Sequence, residues 1–139
     1  MKEAGQFPGH SQEIECISIS GDGRFAVSGG KEKKLRYWEI DSGREQAVFT
    51  GFQGAIKACY IAKNGRTAMA TDGATLLSID LMKREVTKKR QLGRSWSGQA
   101  ACFSADGEQV AVSNGKDIRL WNLNSAGERP KMEDNEMIW

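Results

Sequence analysis

The sequence is poor in the residues that metal and redox chemistry require. Its 139 residues include one histidine and two prolines, and none of the three cysteines forms a C-x-x-C pair. Zinc and thiol centres draw on several such residues at close spacing. We therefore expect no metal or cofactor, and we expect Cys16, Cys59 and Cys102 to be reduced, buried small hydrophobic residues of a cytoplasmic protein.

Long apolar runs and an excess of one charge are also lacking. The first ten residues contain no apolar core of a signal peptide, and no stretch approaches the roughly 18 apolar residues of a membrane span. We expect neither feature in this chain. The net charge of +2 does not favour nucleic acid as a partner. A composition of 39% hydrophobic and 27% charged residues is typical of a folded soluble domain.

What the sequence does contain is a repeat. Around Asp22-Gly23, the alternating residues 17–20 and the apolar residues 25–28 predict a β-hairpin. This hairpin returns twice, and its turns step by 42 residues from Asp22 to Asn64 and from Asn64 to Asp106. An isolated hairpin is marginal in water, so the repeated unit must be larger.

Each repeat contains further strand-like segments and no helical pattern. A third strand follows each hairpin, near residues 35–38, 76–79 and 118–121, and a more polar fourth strand follows near residues 45–50 and 85–92. Four strands in 40–45 residues are typical of a β-propeller blade, whose two faces only neighbouring blades can cover. We therefore predict an all-β chain that forms a partial propeller of three four-stranded antiparallel blades.

These repeats resemble the WD-repeat family, whose units begin near Gly-His and end in Trp-Asp. Repeat 1 has Gly9-His10 and Trp38-Glu39, and the other two repeats carry degenerate forms: Gly51-Phe52 with Ile79-Asp80, and Gly93-Arg94 with Trp121-Asn122. The predicted division is residues 1–8 as the outer strand of a preceding blade, 9–50, 51–92 and 93–134 as repeats, and 135–139 as a tail.

The resemblance implies a structural hydrogen-bond network that joins the His, a Ser or Thr, an acid and the Trp. The residues at these positions are His10, Ser28, Glu32 and Trp38 in repeat 1 and Ser113 and Trp121 in repeat 3. Repeat 3 has Arg94 in the His place, and its Asp117 is near the acid position. Repeat 2 has Phe52, Ala70 and Ile79 instead, so we expect apolar packing to replace its network.

The same assignment argues against catalysis. Nucleophilic catalysis or metal binding would have to use His10, which the resemblance places in the structural network. The resemblance implies a non-enzymatic scaffold that presents loops to a protein or peptide. Two alternatives stay open: a sensing or docking segment of a larger multidomain polypeptide, with a signalling enzyme as one example, and a binder of RNA or phospholipid through its basic segments.

The loops that join one blade to the next are the expected docking surface. In this family they form the top face, and Trp96 beside Arg94 has the composition of an interface hot spot. We predict a partner-binding surface of Arg94 and Trp96, with Gln53 and Gln12 from the equivalent loops. The alternative for Trp96 is packing between blades 2 and 3.

Three blades do not close a propeller, since closed rings have about four to eight. Residues 2–7 align by the 42-residue step with residues 44–49 and therefore predict an outer strand of a preceding blade. We expect either that the chain is a piece of a larger propeller or that copies of it associate to close a ring.

Overall fold

The computed structural model describes residues 1–3, 5–92, 100–114 and 116–123, and it is built from antiparallel β-strands. The described residues include no helix of the length and hydrophobicity needed to cross a membrane. The strands are β1 (Ile14–Ile19), β2 (Phe25–Gly30), β3 (Leu35–Glu39), β4 (Arg44–Phe49), β5 (Ala58–Ile61), β6 (Thr67–Thr71), β7 (Thr75–Asp80), β8 (Glu85–Gln91), β9 (Ala100–Phe103), β10 (Gln109–Asn114) and β11 (Asp117–Asn122).

The strands form three sheets in chain order, which confirms the all-β propeller architecture. Blade 1 is β1–β4 and blade 2 is β5–β8, each with neighbouring strands paired in sequence. Blade 3 contains β9–β11 within the described residues. The fourth strand expected for blade 3 and the tail at 135–139 lie outside those residues.

The hairpin turns explain why the 42-residue signal is strong. In the first turn the Ser20 hydroxyl donates to Asp22 Oδ1 at 2.6 Å and accepts from Phe25 N at 3.1 Å. Gly23 adopts φ of 76°, a left-handed conformation that glycine reaches without strain. The third turn repeats these bonds, with Ser104 Oγ to Asp106 Oδ1 at 2.6 Å. Side chains of the turn itself therefore fix the first and third hairpins, and in the second Asn64 Oδ1 accepts from Arg66 N at 2.9 Å.

Two apolar clusters hold the blades together. The face of blade 1 that carries Leu35 and Tyr37 packs against blade 2, and Ile56 is completely buried in this contact. A smaller cluster joins blades 2 and 3, and its buried members are Leu76, Leu92, Val110, Val112 and Leu123. Each interface therefore buries one face from each of two neighbouring sheets, as the propeller prediction requires.

The N-terminal segment differs from its prediction. Residues 2–7 were expected to form an outer strand, but the described residues 2, 3 and 5–7 are not in a strand, and Phe7 instead stacks on Trp38 with ring centroids 5.8 Å apart. A strand needs a hydrogen-bonding neighbour, and no other strand of the described chain lies beside this segment. The segment covers part of the outer face of blade 1 with an aromatic ring.

The cysteine prediction is also partly wrong. Cys102 is exposed, and Cys16 and Cys59 are half-buried, although all three are free thiols. Alternation explains the difference, because Cys102 pairs with Ala111 and points with it to the face of blade 3 that is turned away from blade 2.

Candidate interaction surface and its supporting network

The connections between blades and the connections between second and third strands lie at the same end of the sheets. Antiparallel order places the segment before β1, the β2–β3 turn, the β4–β5 connection and the β6–β7 turn together, and the other hairpin turns lie at the opposite end. The Ser11 hydroxyl donates to Glu32 at 3.0 Å and Gln53 N donates to Asp72 at 2.7 Å, so contacts join these segments. We call this end the top face.

A buried polar chain supports the top face in blade 1. Trp38 Nε1 donates to Ser28 Oγ at 2.8 Å, and His10 Nε2 lies 2.6 Å from the same oxygen. The other imidazole nitrogen, Nδ1, contacts the carboxylate of Glu32. Gly9 fits directly against the indole, since an added Cβ would lie 2.6 Å from the Trp38 ring. The structure thus brings the four repeat-1 network residues together.

Charged neighbours set the protonation of this chain. Arg36 donates to both oxygens of Glu32, at 2.8 and 3.0 Å, and to Glu45 at 2.6 Å. Hydrogen bonding to Arg36 lowers the pKa of Glu32 to about 2. An ionised carboxylate only accepts hydrogen bonds, so the Nδ1 of His10 that faces Glu32 carries a proton. Each of the four side chains in this polar network then has a partner.

The order Ser28–His10–Glu32 has the atoms of a hydrolase triad, but the surroundings favour a structural role. Ser28 is only 5% exposed, and its oxygen already accepts the indole N–H of Trp38. A serine nucleophile must also be reachable by the carbonyl carbon that it attacks, and so little exposure disfavours that role. Among the described residues, moreover, no three His, Cys, Asp or Glu side chains are grouped as a metal site.

Blade 2 contains a polar anchor that sequence reasoning missed. The buried carboxylate of Asp72 accepts backbone N–H bonds from Gln53 at 2.7 Å, Gly54 at 3.1 Å, Ala74 at 2.9 Å and Thr75 at 2.7 Å. It therefore ties the blade-joining loop to the β6–β7 turn. The available signal was the Asp72-Gly73 pair directly after the second strand, a sequence typical of Asx turns.

The side chains that replace the network in blade 2 are apolar and buried. Phe52, Ala70 and Ile79 stand in the His, Ser and Trp places, and all three belong to the cluster between blades 1 and 2. Their exposed fractions are 8%, 0% and 1%. Blade 2 thus combines an apolar core with a carboxylate that serves only backbone groups.

Blade 3 requires a correction of the repeat alignment. On β2, Trp38 pairs with Ala26, and Ser28 lies two residues further along the strand. On β10, Trp121 pairs with Val110, and the residue two further along is Val112. Ser113 is one residue further, and a shift of one residue turns a side chain to the opposite face. It contacts the backbone of Ala100 at 3.1 Å, not Trp121.

Trp121 itself packs against the cluster between blades 2 and 3. Asp117 is exposed at the start of β11. Arg94, which holds the His place of repeat 3, lies outside the described residues.

The predicted docking residues divide into two groups. Gln12 and Gln53 are exposed on the top face, one before β1 and one between β4 and β5. Arg94 and Trp96 lie outside the described residues. The structure therefore places half of the predicted surface, and the role of all four residues stays a prediction.

The face of blade 1 turned away from blade 2 carries exposed isoleucines. Ile17 and Ile19 are 64% and 60% exposed, and Ile14 is 44% exposed. Together with Phe7 and Trp38 they line an open groove of about 560 Å³. The corresponding face of blade 2 is covered by blade 1, which shows how a neighbouring sheet would cover these side chains.

Comparison with known families supports the repeat assignment. Residues 1–39 match the family model described as WD domain, G-beta repeat. Among solved structures, the WD40 repeats of RRP9 superpose with a TM-score of 0.73 at 22% identity, covering 88% of this chain and 37% of that chain. This likeness concerns the fold.

Curated relatives are longer than this chain. Protein tipD of Dictyostelium discoideum is 24% identical over 125 residues, which is 88% of this chain and 20% of that protein. The human U3 small nucleolar RNA-interacting protein 2 is 38% identical over 52 residues, which is 37% of this chain and 11% of that protein. The chain therefore spans a fifth or less of these two relatives.

Proposed function

Because the chain is a partial WD-repeat propeller, we propose that it works as a non-enzymatic scaffold whose rigid blades present top-face loops to a protein or peptide partner. One observation carries the proposal: the only histidine is enclosed in a polar chain that stiffens the top face. Binding residues on loops held by a rigid scaffold are the common arrangement in proteins that act by recognition.

Partner capture with matched variants tests this proposal. Trp96→Ala should weaken binding by about 2 kcal/mol or more, because truncating a hot-spot aromatic removes its packed contact area. Met82→Ala is the control, since Met82 is 70% exposed in the β7–β8 turn at the opposite end of the sheets. Affinity capture with mass spectrometry should lose partners with the first variant and keep them with the second. A folded Trp96→Ala chain that retains its partners at full strength contradicts the docking surface.

A sensing or docking segment of a larger polypeptide is the second candidate function. The chain spans 20% of tipD and 11% of the human U3-associated relative, which supports this possibility. Both candidates use the same top face. Capture with the longest polypeptide that contains these residues distinguishes them, because only the second predicts a further domain on the same chain. The cytoplasmic location stays a prediction.

Basic residues on β8 provide a test for polyanion binding. Residues 83–91 contain five cations and one carboxylate, a net charge of 5 − 1 = +4. Lysines also keep an outer strand from pairing with other chains, and aromatic side chains for base stacking are missing here. We therefore expect salt-insensitive partner binding. Retention on a polyanion column that falls steeply with salt would favour RNA or phospholipid instead.

The exposed isoleucines of blade 1 require a covering sheet. Monomers seldom expose apolar patches of this kind. We propose that further blades cover the groove, and that a second copy of the chain is the alternative. Light scattering distinguishes the alternatives, since a second copy gives an oligomer at all working concentrations. A soluble monomer of 15.3 kDa with cooperative unfolding contradicts both.

A further inference from the structure

Two half-buried thiols meet where blade 1 packs on blade 2. Cys16 lies on β1 and Cys59 on β5, and both pack against the apolar cluster between these blades. The Cys16 thiol donates to Gly29 O at 3.7 Å and the Cys59 thiol donates to Val27 O at 3.7 Å. These carbonyls are two residues apart on β2, so both thiols contact the same stretch of that strand, Cys16 from the neighbouring strand of blade 1 and Cys59 from the facing side of blade 2.

The region is open to small molecules. Both cysteines border a groove of about 720 Å³ along the inner strands β1, β5 and β9. The hydrogen bond with Cys16, together with burial, holds the pKa of the Cys59 thiol well above its usual value. A thiol reacts as its thiolate, so this raised pKa slows attack by Cys59 on an external reagent.

We propose that Cys16 and Cys59 are a disulfide-forming site that joins blade 1 to blade 2 when the protein meets a low-molecular-weight disulfide such as glutathione disulfide. The Cys16 thiolate attacks one sulfur of glutathione disulfide and releases one glutathione thiolate. The Cys59 thiolate then attacks the Cys16 sulfur of the mixed disulfide and releases the second. Two protein thiols are oxidised and one glutathione disulfide is reduced to two glutathiones.

Cys102 provides the matched internal control. It is exposed on β9 and borders the same groove, but it points to the face of blade 3 that is turned away from blade 2. A mixed disulfide at Cys102 therefore has no neighbouring thiol to displace the glutathione. The proposal predicts different products at cysteines exposed to the same reagent.

Mass spectrometry of the whole chain after incubation with glutathione disulfide tests the site. We expect one glutathionyl group, mapped to Cys102, and the loss of two hydrogen atoms, mapped to a peptide pair that links Cys16 and Cys59. The melting temperature should rise by roughly 5 °C or more, because the new bond restricts the unfolded chain. Separate glutathionyl groups on Cys16 and Cys59, alkylatable thiols at both, or a Cys59–Cys102 link would each overturn the proposal.

Serine variants separate the two steps without a large change in volume. Cys59→Ser should leave a glutathionyl group on Cys16, since no second thiol displaces it, and its melting temperature should not rise on oxidation. Cys102→Ser should form the Cys16–Cys59 link at the wild-type rate. A Cys59→Ser chain in which Cys16 stays unmodified overturns the proposed order of attack, and a slowed link in Cys102→Ser implicates Cys102 in the reaction.

Discussion

Blades 1 and 2 hold the same strand positions in place by different chemistry. In blade 1, an indole, a hydroxyl, an imidazole and a carboxylate are joined in series, and Arg36 fixes the charge at the end. In blade 2, apolar side chains fill the corresponding sites, and Asp72 binds backbone N–H groups only. The difference teaches that a buried polar chain can be replaced as a whole, because a partial chain would leave unsatisfied groups.

Truncating a buried apolar side chain of blade 2 should lower the free energy of unfolding more than replacing a residue of the polar chain in blade 1. Ile79→Ala removes three carbons from a side chain that is 1% exposed, so we expect a loss of about 2–5 kcal/mol in the free energy of unfolding. Urea denaturation measures this loss, and Val86→Ala on the exposed face of β8 is the control, with an expected change of about 0.5 kcal/mol or less. Equal effects of the two variants would mean that the blade 1–blade 2 cluster is not packed as described.

In blade 1, we expect replacement of His10 to lower the stability of the fold. Replacing this imidazole by Ala removes one partner from Ser28, which keeps Trp38, and one from Glu32, which keeps Arg36, and this should cost about 1–3 kcal/mol. Thermal unfolding measures the loss, and Gln12→Ala, at an exposed neighbouring position, is the control. An unchanged melting temperature together with loss of some activity would show that His10 is functional and not structural.

The contribution of Glu32 to the stability of blade 1 should depend on pH. The pKa of Glu32 is lowered from 4.5 to about 2, so its contribution is fully present above pH 4.5 and is lost as the pH falls toward 2. We expect Glu32→Gln to be less stable by on the order of 1–2 kcal/mol at neutral pH. Urea titrations at decreasing pH should show this gap closing. A gap that stays constant down to pH 2 contradicts the ionised carboxylate.

Blade 3 gives the smallest expected effect and extends the comparison. Ser113→Ala should cost about 0.5–1 kcal/mol, because its hydroxyl contacts the backbone of Ala100 near the surface. Ser28→Ala should cost more, since it breaks a buried chain at its centre. Parallel unfolding of the two variants measures the difference, and equal losses would restore Ser113 to the network position.

Local signals made the hairpins predictable, whereas pairing across strands did not follow from them. The turn sequence around Asp22 determines its own hydrogen bonds, so its recurrence located all three hairpins. Ser113 was misplaced because it was matched to Ser28 by residue type, one position beyond Val112, which the 42-residue step reaches from Ser28. A shift of one residue reverses which face a side chain occupies. The local turn at Asp72-Gly73 could have been predicted, but the tie to the blade-joining loop could not, because those two partners are main-chain groups 18 and 19 residues away, which leave no mark on residue type.

The prediction of an N-terminal outer strand was wrong for a different reason. The 42-residue step gives residues 2–7 the pattern of an outer strand, but a pattern forms a strand only when a neighbour offers hydrogen bonds. The described chain has no sheet on that side, and Phe7 packs on Trp38 instead. The repeat pattern therefore aligned the segment with an outer strand, but its conformation depends on whether a neighbouring strand is present.

The serial packing of the sheets also predicts how the chain opens. Among the described residues, blade 2 shares an apolar cluster with each neighbour, whereas blades 1 and 3 each share one. In repeat architectures, stability is close to a sum of unit terms and nearest-neighbour terms, so end units separate before central ones. Amide hydrogens in β6 and β7 should therefore exchange with solvent more slowly than those in β1 and β9. Blade 2 then opens least often, and blades 1 and 3 pack back onto it after each local opening.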